Sequence, residues 1–479
     1  MALRSHGSPL DQGHVLVRAG RHRRQRLSRR ISARAHRTVR GRAGISAPLR
    51  ACGPAGRRPF RRVLRVAQHV DAADGRVHGT AGARPAGGYA DRRPLSSRGR
   101  QVGGELDFHR HATLSEHAGP RRAGAHRTGI SPMREATTAS AAQTQESERL
   151  QAAKAVVRDY YCALAEVDGA GFLPVMKDFC APDLIWRGFH PFDLQTGPEP
   201  VAQYFWAPLA RALRPLRRRM DMFIAGTNWL DDGQSVWVAS MGHLMGLFEG
   251  TWLGIRPTGK LTMLRYAAFH RVERGRIVEE AMYFDIPHLM VQAGQNPFPP
   301  QTGAHLVQPG PGNHHALLWD AQDPEEARRT RGAIERMLSD IRNWRVPGGP
   351  GLLEELRRSW TEDMLWWGPE GIGATYTIQG YARQHVEPFR QAFTRRSSVG
   401  HIARISEGTF GGFFGWPNLT LEPTGGFMGM PATGKLGEMR VIDMYRREGD
   451  KLAENWIFID MLHFWKGMGL DVLARHQET

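Results

Sequence analysis

Apolar positions recur every three or four residues over 146–167. Leu150, Ala153, Val156, Val157, Tyr160, Tyr161 and Leu164 share one face, which predicts an amphipathic helix ended by Gly169 and Gly171. A second helix is expected over 172–179, a short strand over 183–186, a Gly/Pro-rich loop over 187–200 and a further helix over 201–213. From residue 220 the period becomes extended. β-Favouring runs cover 220–230, 235–244, 247–255, 261–271 and 276–284, with Asp231-Asp232-Gly233 and Glu273-Arg274-Gly275 at hairpin positions. Helices followed by a strand meander predict an α+β domain with one curved, mainly antiparallel sheet.

The pattern then repeats. Pro257-Thr258-Gly259-Lys260 through Asp285-Ile286-Pro287-His288 recurs as Pro431-Ala432-Thr433-Gly434-Lys435 through Asp460-Met461-Leu462-His463, and from Gly259 onward the two align without a gap at an offset of 175 (435 minus 260). Glu279 falls on Glu454, Asp285 on Asp460 and His288 on His463. Asp363-Met364-Leu365-Trp366 repeats Asp183-Leu184-Ile185-Trp186 at an offset of 180 (366 minus 186). A unit this long is a whole domain, not a solenoid repeat. The second copy opens with Asp323-Pro324-Glu325-Glu326, an N-cap acid followed by a first-turn proline, and its strands are expected at 401–405, 409–414, 441–446 and 452–459. The boundaries follow: a first domain over 145–300, a Pro/Gly-rich linker over 301–320 and a second domain over 321–479.

Charge changes the picture only at the start. The net charge of +18 and the pI near 10.6 suggest a nucleic-acid partner. Yet residues 1–132 hold about 28 Arg, no Lys and about 7 acids, so about +21 sits there and the remainder is near −3. That segment has almost no aromatic residues and no sustained period, so disorder is expected. Arg, Ala, Gly and Pro are encoded largely by G and C. A mis-assigned start, with Met133 as the true one, is therefore the preferred reading over a basic nucleic-acid tail, a transit peptide or a twin-arginine signal around Ser28-Arg29-Arg30-Ile31. Nucleic acid is not the expected partner. No apolar run reaches about 18 residues, so no membrane partner is expected and a cytoplasmic location is.

The repeated strings resemble a known pattern. Gly429-Met430-Pro431-Ala432-Thr433-Gly434-Lys435, Tyr445 to Leu452, Glu454-Asn455-Trp456 and Asp460 are similar to the SnoaL-like polyketide cyclase (ester cyclase) branch of the nuclear-transport-factor-2-like superfamily, a bacterial type. Gly254, Pro257 to Lys260, His270 to Ile277, Glu279-Glu280, Asp285 and Gln292-Ala293-Gly294 carry the same likeness in the first copy. The resemblance implies two tandem cone-shaped domains, each with N-terminal helices on the curved sheet and an apolar pocket at the mouth. It also implies a late-strand aspartate as general base, matching Asp285 and Asp460, no cofactor and no metal. A histidine one hairpin earlier matches His270, where the second copy has Tyr445. Intramolecular pairing of the domains, or a homo-oligomer, is expected from the same source.

The chemistry that fits is proton abstraction from a carbon beside a carbonyl, by a carboxylate whose pKa an apolar pocket raises. Asp285 and Asp460 are the candidate bases and His270 the assisting donor, with the first copy the better candidate for activity. Each aspartate also precedes a helical turn, where an N-cap is the plainer role. Trp186, Trp366, Tyr445, His288 and His463 are expected beside a hydrophobic small-molecule ligand, with core packing the plainer role of the tryptophans. His288 and His463 either pair with the capping aspartate or move protons; Asp-x-x-His alone is too few ligands to define a metal site. Pro-Thr-Gly-Lys lacks the spacing of a phosphate loop and reads as a turn. Arg214 to Arg219 reads as a solvated basic face or an interdomain contact. A cyclase- or isomerase-like enzyme is the first reading; a non-enzymatic small-molecule-binding protein of the same fold is the alternative.

Overall fold

The structure, a computed structural model, describes residues 132–343 and 351–478. The expected disordered, mis-started segment lies outside these residues, apart from Pro132. The first domain opens with α1 (Pro132–Ala165) and α2 (Phe172–Phe179). Val157, Tyr160, Tyr161 and Leu164 of α1 are buried, so the apolar stripe read from the sequence is the face that packs on the sheet. β1 (Cys180–Gly188) and β2 (Leu194–Thr196) follow. Next comes a helical stretch of α3 (Pro198–Pro200), a π-helical turn (Val201–Trp206) and α4 (Ala207–Ala212). Then come β3 (Leu213–Thr227), β4 (Val236–Phe248), β5 (Leu261–Glu273), β6 (Arg276–Phe284) and α5 (Ile286–Gln292).

The second domain repeats this order, with the counterpart of β3 split into two strands and one further helix at the end. It has α6 (Pro324–Asn343), α7 (Leu352–Ser359), β7 (Trp360–Trp367), β8 (Ala374–Tyr376), α8 (Thr377–Tyr381), a π-helical turn (Ala382–Val386) and α9 (Glu387–Gln391). β9 (Phe393–Ser398), β10 (Ala403–Glu407), β11 (Phe410–Pro423), β12 (Gly437–Glu448), β13 (Lys451–Ile459), α10 (Met461–Gly467) and α11 (Val472–Glu478) complete it.

Two α+β domains are thus present, but the cone is not. The first sheet runs β2-β1-β6-β5-β4-β3 and the second β10-β11-β12-β13-β7-β8, with β9 also on β11; each is an open ladder whose outer strands do not pair to close it. Nor are the sheets purely antiparallel, since β1 runs parallel to β6 and β7 parallel to β13. Periodicity is blind to such pairings because it reports faces, not neighbours. The run 247–255 is not a strand of its own. β4 absorbs Leu247 and Phe248, and the chain then turns through Leu253 and Gly254, both at positive φ (53° and 81°). Arg214 to Arg219 lies on β3, immediately after α4.

The repeated Thr-Gly-Lys strings form the same turn twice. Gly259 and Gly434 sit at φ 67° and 66°, where a Cβ is strained. Lys260 N donates to Thr258 Oγ1 (3.2 Å) and Lys435 N to Thr433 Oγ1 (3.3 Å). Residues 301–320 pair with both sheets. Ala304 exchanges backbone bonds with Ala374 (2.8 and 2.9 Å), and Leu318 N donates to Phe223 O (3.0 Å).

Helices cover one face of each sheet, and the opposite faces meet. Trp237 and Phe269 lie 5.3 and 5.4 Å from Phe414, and Tyr283 6.0 Å from Trp416. Lys154 of α1 pairs with buried Glu407 of β10, a charge pair sealed at the domain boundary. Among the described residues no helix is long and apolar enough to cross a membrane.

Candidate functional site

Asp285 and Asp460 terminate β6 and β13, and each caps the helix that follows. Asp285 Oδ1 accepts from His288 N and Asp460 Oδ1 from His463 N, both at 3.1 Å. The second oxygen of each reaches the other domain. Asp285 Oδ2 accepts from Glu370 N (3.0 Å), and Asp460 Oδ2 from His190 N (2.9 Å). Arg265 and Arg440, which the repeat makes equivalent, stand 3.8 and 3.7 Å from these carboxylates. Arg265 also donates to Trp367 O (2.9 Å) and stacks on Phe458 (3.9 Å), while Arg440 stacks on Trp416 (3.7 Å). The two aspartates therefore stand in reciprocal clasps, each holding a backbone loop of the opposite domain. Burial pushes Asp460 up to about 6, against its backbone donors and Arg440.

His288 and His463 stand beside these clasps. Burial holds each imidazole down to about 4, so both are neutral near pH 7. His288, His305 and Glu370 bring ligand-type atoms within 4.8 Å of one another, as do His190, Asp193 and His463. The hydrogen bonding disfavours a metal at the first group. Gln292 is oriented by Met263 N (3.0 Å) and Met263 O (2.9 Å), so its amide nitrogen donates to His288 Nδ1 (3.1 Å), and the neutral ring carries its proton on Nε2. In the second group Arg440 donates to Asp193 Oδ1 at 2.6 Å, placing a fixed cation on the only carboxylate.

The helix-covered faces hold the other polar groups. In the first domain His270 Nε2 is 2.6 Å from Tyr161 Oη, which is 2.7 Å from Ser240 Oγ. Glu280 stands across the β5–β6 ladder from His270, with Oε2 3.8 Å from Nδ1. Both are fully buried; burial raises Glu280 to about 7 and lowers His270 to about 3. Trp186 is fully buried against Phe205 (5.4 Å). The Arg218 guanidinium lies over Tyr161 (3.8 Å) and Tyr266 (4.6 Å) and closes off the His270–Glu280 cluster, so the space at this face lies on its outer side.

The second domain is open at the same place. A cavity of about 310 Å3 is lined by Trp360, Trp366, Tyr381, Phe389, Phe413 and Tyr445, among others. On its wall Asp443 accepts from Tyr445 Oη (2.6 Å) and from Asn455 Nδ2. Burial nonetheless raises Asp443 to about 7, with Tyr445, Asn455 and Arg265 pulling the other way. His385 stacks on Trp366 (4.1 Å) and His401 on Phe413 (4.0 Å), and burial lowers both to about 3. His401 Nδ1 accepts from Arg404 Nε (2.8 Å), so its Nε2 carries the proton.

One register explains the difference between the faces. Arg218 pairs with Leu244, and Ser398 with Leu419. Leu244 and Leu419 are 175 apart, so Ser398 stands where the first domain has Arg218. Trp206 and Phe205 likewise give way to Val386 and His385. Smaller side chains let the second cavity reach inward to Asp443. Sequence reading missed Asp443. Its signal was an acid flanked by Val441, Ile442 and Met444 on a predicted strand, where the first copy has Ala268.

Two family models match. A SnoaL-like domain covers 157–280, and the SnoaL-like polyketide cyclase family covers 418–466. Each half of the chain thus carries a SnoaL-like domain, and the two are homologous. No curated protein matches. Among solved structures, the chain is similar to an NTF2-like protein from Burkholderia thailandensis E264, at 22% identity over 30% of this chain and 96% of that one, with a TM-score of 0.23. An NTF2-like protein from Anabaena variabilis ATCC 29413 is 18% identical over 27% and 89%, with a TM-score of 0.22. TsrD from Streptomyces laurentii is 17% identical over 29% and 96%, with a TM-score of 0.24.

Proposed function

We propose that the chain is a cyclase- or isomerase-like enzyme acting on a hydrophobic carbonyl compound, with the second domain as its catalytic half and Asp443 as general base. The observation that carries this reading is Asp443 itself: a carboxylate held near pKa 7 on the wall of an aromatic cavity. Such a group is ionised enough at neutral pH to take a proton, and basic enough to take it from carbon.

In the proposed step the substrate lies against Trp366 and Tyr381, and Asp443 removes a proton from the carbon beside its carbonyl. The electron pair moves onto the carbonyl oxygen. Tyr445 and Asn455, which hold the carboxylate, are released as it is neutralised and stand ready to donate to the enolate. His401 offers a third neutral donor. The step needs no cofactor. Ring closure or double-bond migration then follows from the substrate's own skeleton. Reprotonation by Asp443 completes the cycle.

On this reading Asp285 and Asp460 hold the two domains together as an intramolecular pair. His270 and Glu280 form a closed polar cluster in the first. The test is proton–deuterium exchange at the acidic carbon of 1-phenylbutane-1,3-dione, followed by NMR. Wild type should accelerate it, and Asp443→Asn should not. If Asp443→Asn retains the rate while a folded Asp285→Asn/Asp460→Asn variant loses it, the base lies at the junction and this reading fails.

A further inference from the structure

The Arg-rich run Arg214 to Arg219 has no part in the step above, yet it borders a second cavity. This cavity, of about 440 Å3, lies in the first domain between the end of α1, α4 and strands β3 and β4. Leu164, Val167, Trp206 and Leu244 supply apolar wall, and Arg214, Arg217 and Arg218 supply cations. Asp168 and Glu249 also line it, leaving the cations in excess by one.

Among the described residues, none of the three arginines has a carboxylate within 4.0 Å, whereas the neighbouring Arg219 is paired with Asp221 at 3.2 Å. Arg218 is the telling one. Its guanidinium is fixed in a cage of Tyr161 (3.8 Å), Tyr266 (4.6 Å) and Trp206 (5.6 Å), and its Nη1 is buried without any hydrogen-bond partner. A buried guanidinium N–H left unmade is costly, and a caged fork of donors matches a carboxylate. The cage also removes the freedom that an arginine ordinarily loses on binding.

We propose that the first domain binds a carboxylic acid with an apolar body, its carboxylate on Arg218 and its hydrocarbon part against Trp206, Leu164 and Leu244. Arg214 and Arg217, exposed at the rim, draw the anion in. The site does not depend on Asp443 being a base, because it lies on the other domain. The residue that closes the first domain's face is thus the one that recognises the ligand.

The test is calorimetric titration of the full chain with phenylacetate, its neutral counterpart phenylacetamide, and inorganic phosphate. Wild type should bind phenylacetate at least about tenfold more tightly than either comparison compound, the scale of one well-made charged contact. Arg218→Gln should lose about tenfold or more, and Arg218→Lys should recover part. Arg214→Gln/Arg217→Gln, confined to exposed positions and safe for folding, should weaken binding several-fold and flatten its salt dependence. Asp443→Asn should leave binding unchanged. No binding by wild type, equal binding of phenylacetamide, or full binding by Arg218→Gln overturns the proposal. So does loss in Asp443→Asn alone, which would put the acid in the other cavity.

Discussion

The Tyr445 hydroxyl donates to Asp443 Oδ2 at 2.6 Å, from two residues further along the same strand. Residues i and i+2 share a face, so strand geometry alone aims both into the cavity. The bond favours the charged carboxylate and opposes the burial that raises it. Tyr445→Phe keeps the ring and removes the donor. The pH at which turnover is half-maximal should rise by about one unit, with the maximal rate lowered, because a hydrogen bond to a charged group contributes about 1.5–3 kcal/mol. A pH–rate series on the two proteins reads this directly.

Stability against pH carries a second signature. Asp443, Glu280 and Glu407 are pushed up to about 7, and Asp460 to about 6, all mainly by burial. Their stabilising contribution is complete below the unfolded values near 4 and is lost as pH rises through the folded values. His270, His385 and His401, lowered to about 3, act in reverse and lose stability as pH falls from about 6.5. The two sets oppose one another across about pH 4–6.5, so the urea midpoint should change little there and fall below it. Asp443→Asn isolates one member. Between pH 4 and 8 it should gain on wild type by on the order of 1–4 kcal/mol. A pH-independent difference would mean that Asp443 ionises normally.

Asp285→Ala strips the acceptor from His288 N and Glu370 N and leaves Arg265 without its neighbour. Each buried N–H left unpaired costs about 1–3 kcal/mol. A loss on the order of 2–5 kcal/mol is expected in denaturant titrations, and the same for Asp460→Ala, with the exchange rate per folded molecule retained. Loss of that rate in a folded variant would return the chemistry to the junction.

Much of the frame was legible. The helix over 172–179 and the strand over 276–284 emerged from periodicity and Gly signals alone, because their burial follows the pattern of their own side chains. The parallel partner of β6 was not, since Trp186 meets Glu280 only through a crossover that no local pattern encodes. Nor was the open form of the sheets. At the site, the repeat singles out Asp285 and Asp460 because both copies keep them. On the proposed reading both copies keep them for the clasp, in which each carboxylate accepts from a backbone N–H of the opposite domain. The residues that differ, Asp443 against Ala268 and Ser398 against Arg218, are where the two faces diverge. Whether an aspartate on a strand meets a cavity or a neighbour's backbone depends on packing across the sheet, which spacing does not contain.

Ser398→Arg copies the first domain's residue into the second at an exposed position on the cavity rim. The guanidinium should fill the mouth between Phe389 and Tyr445, lowering the exchange rate at least about tenfold through weaker substrate binding while Asp443 is untouched. Ser398→Thr, which adds one methyl group, should keep most of the rate.

The pH dependence of α-carbon exchange in wild type and Asp443→Asn is the most direct test of Asp443 as the base. The expected result is a rate in wild type that climbs to a plateau through about pH 7, the value to which burial raises Asp443, and a loss of about 100-fold or more in the variant with that limb gone. An undiminished rate in a folded Asp443→Asn protein, with the same limb near pH 7, would contradict the assignment.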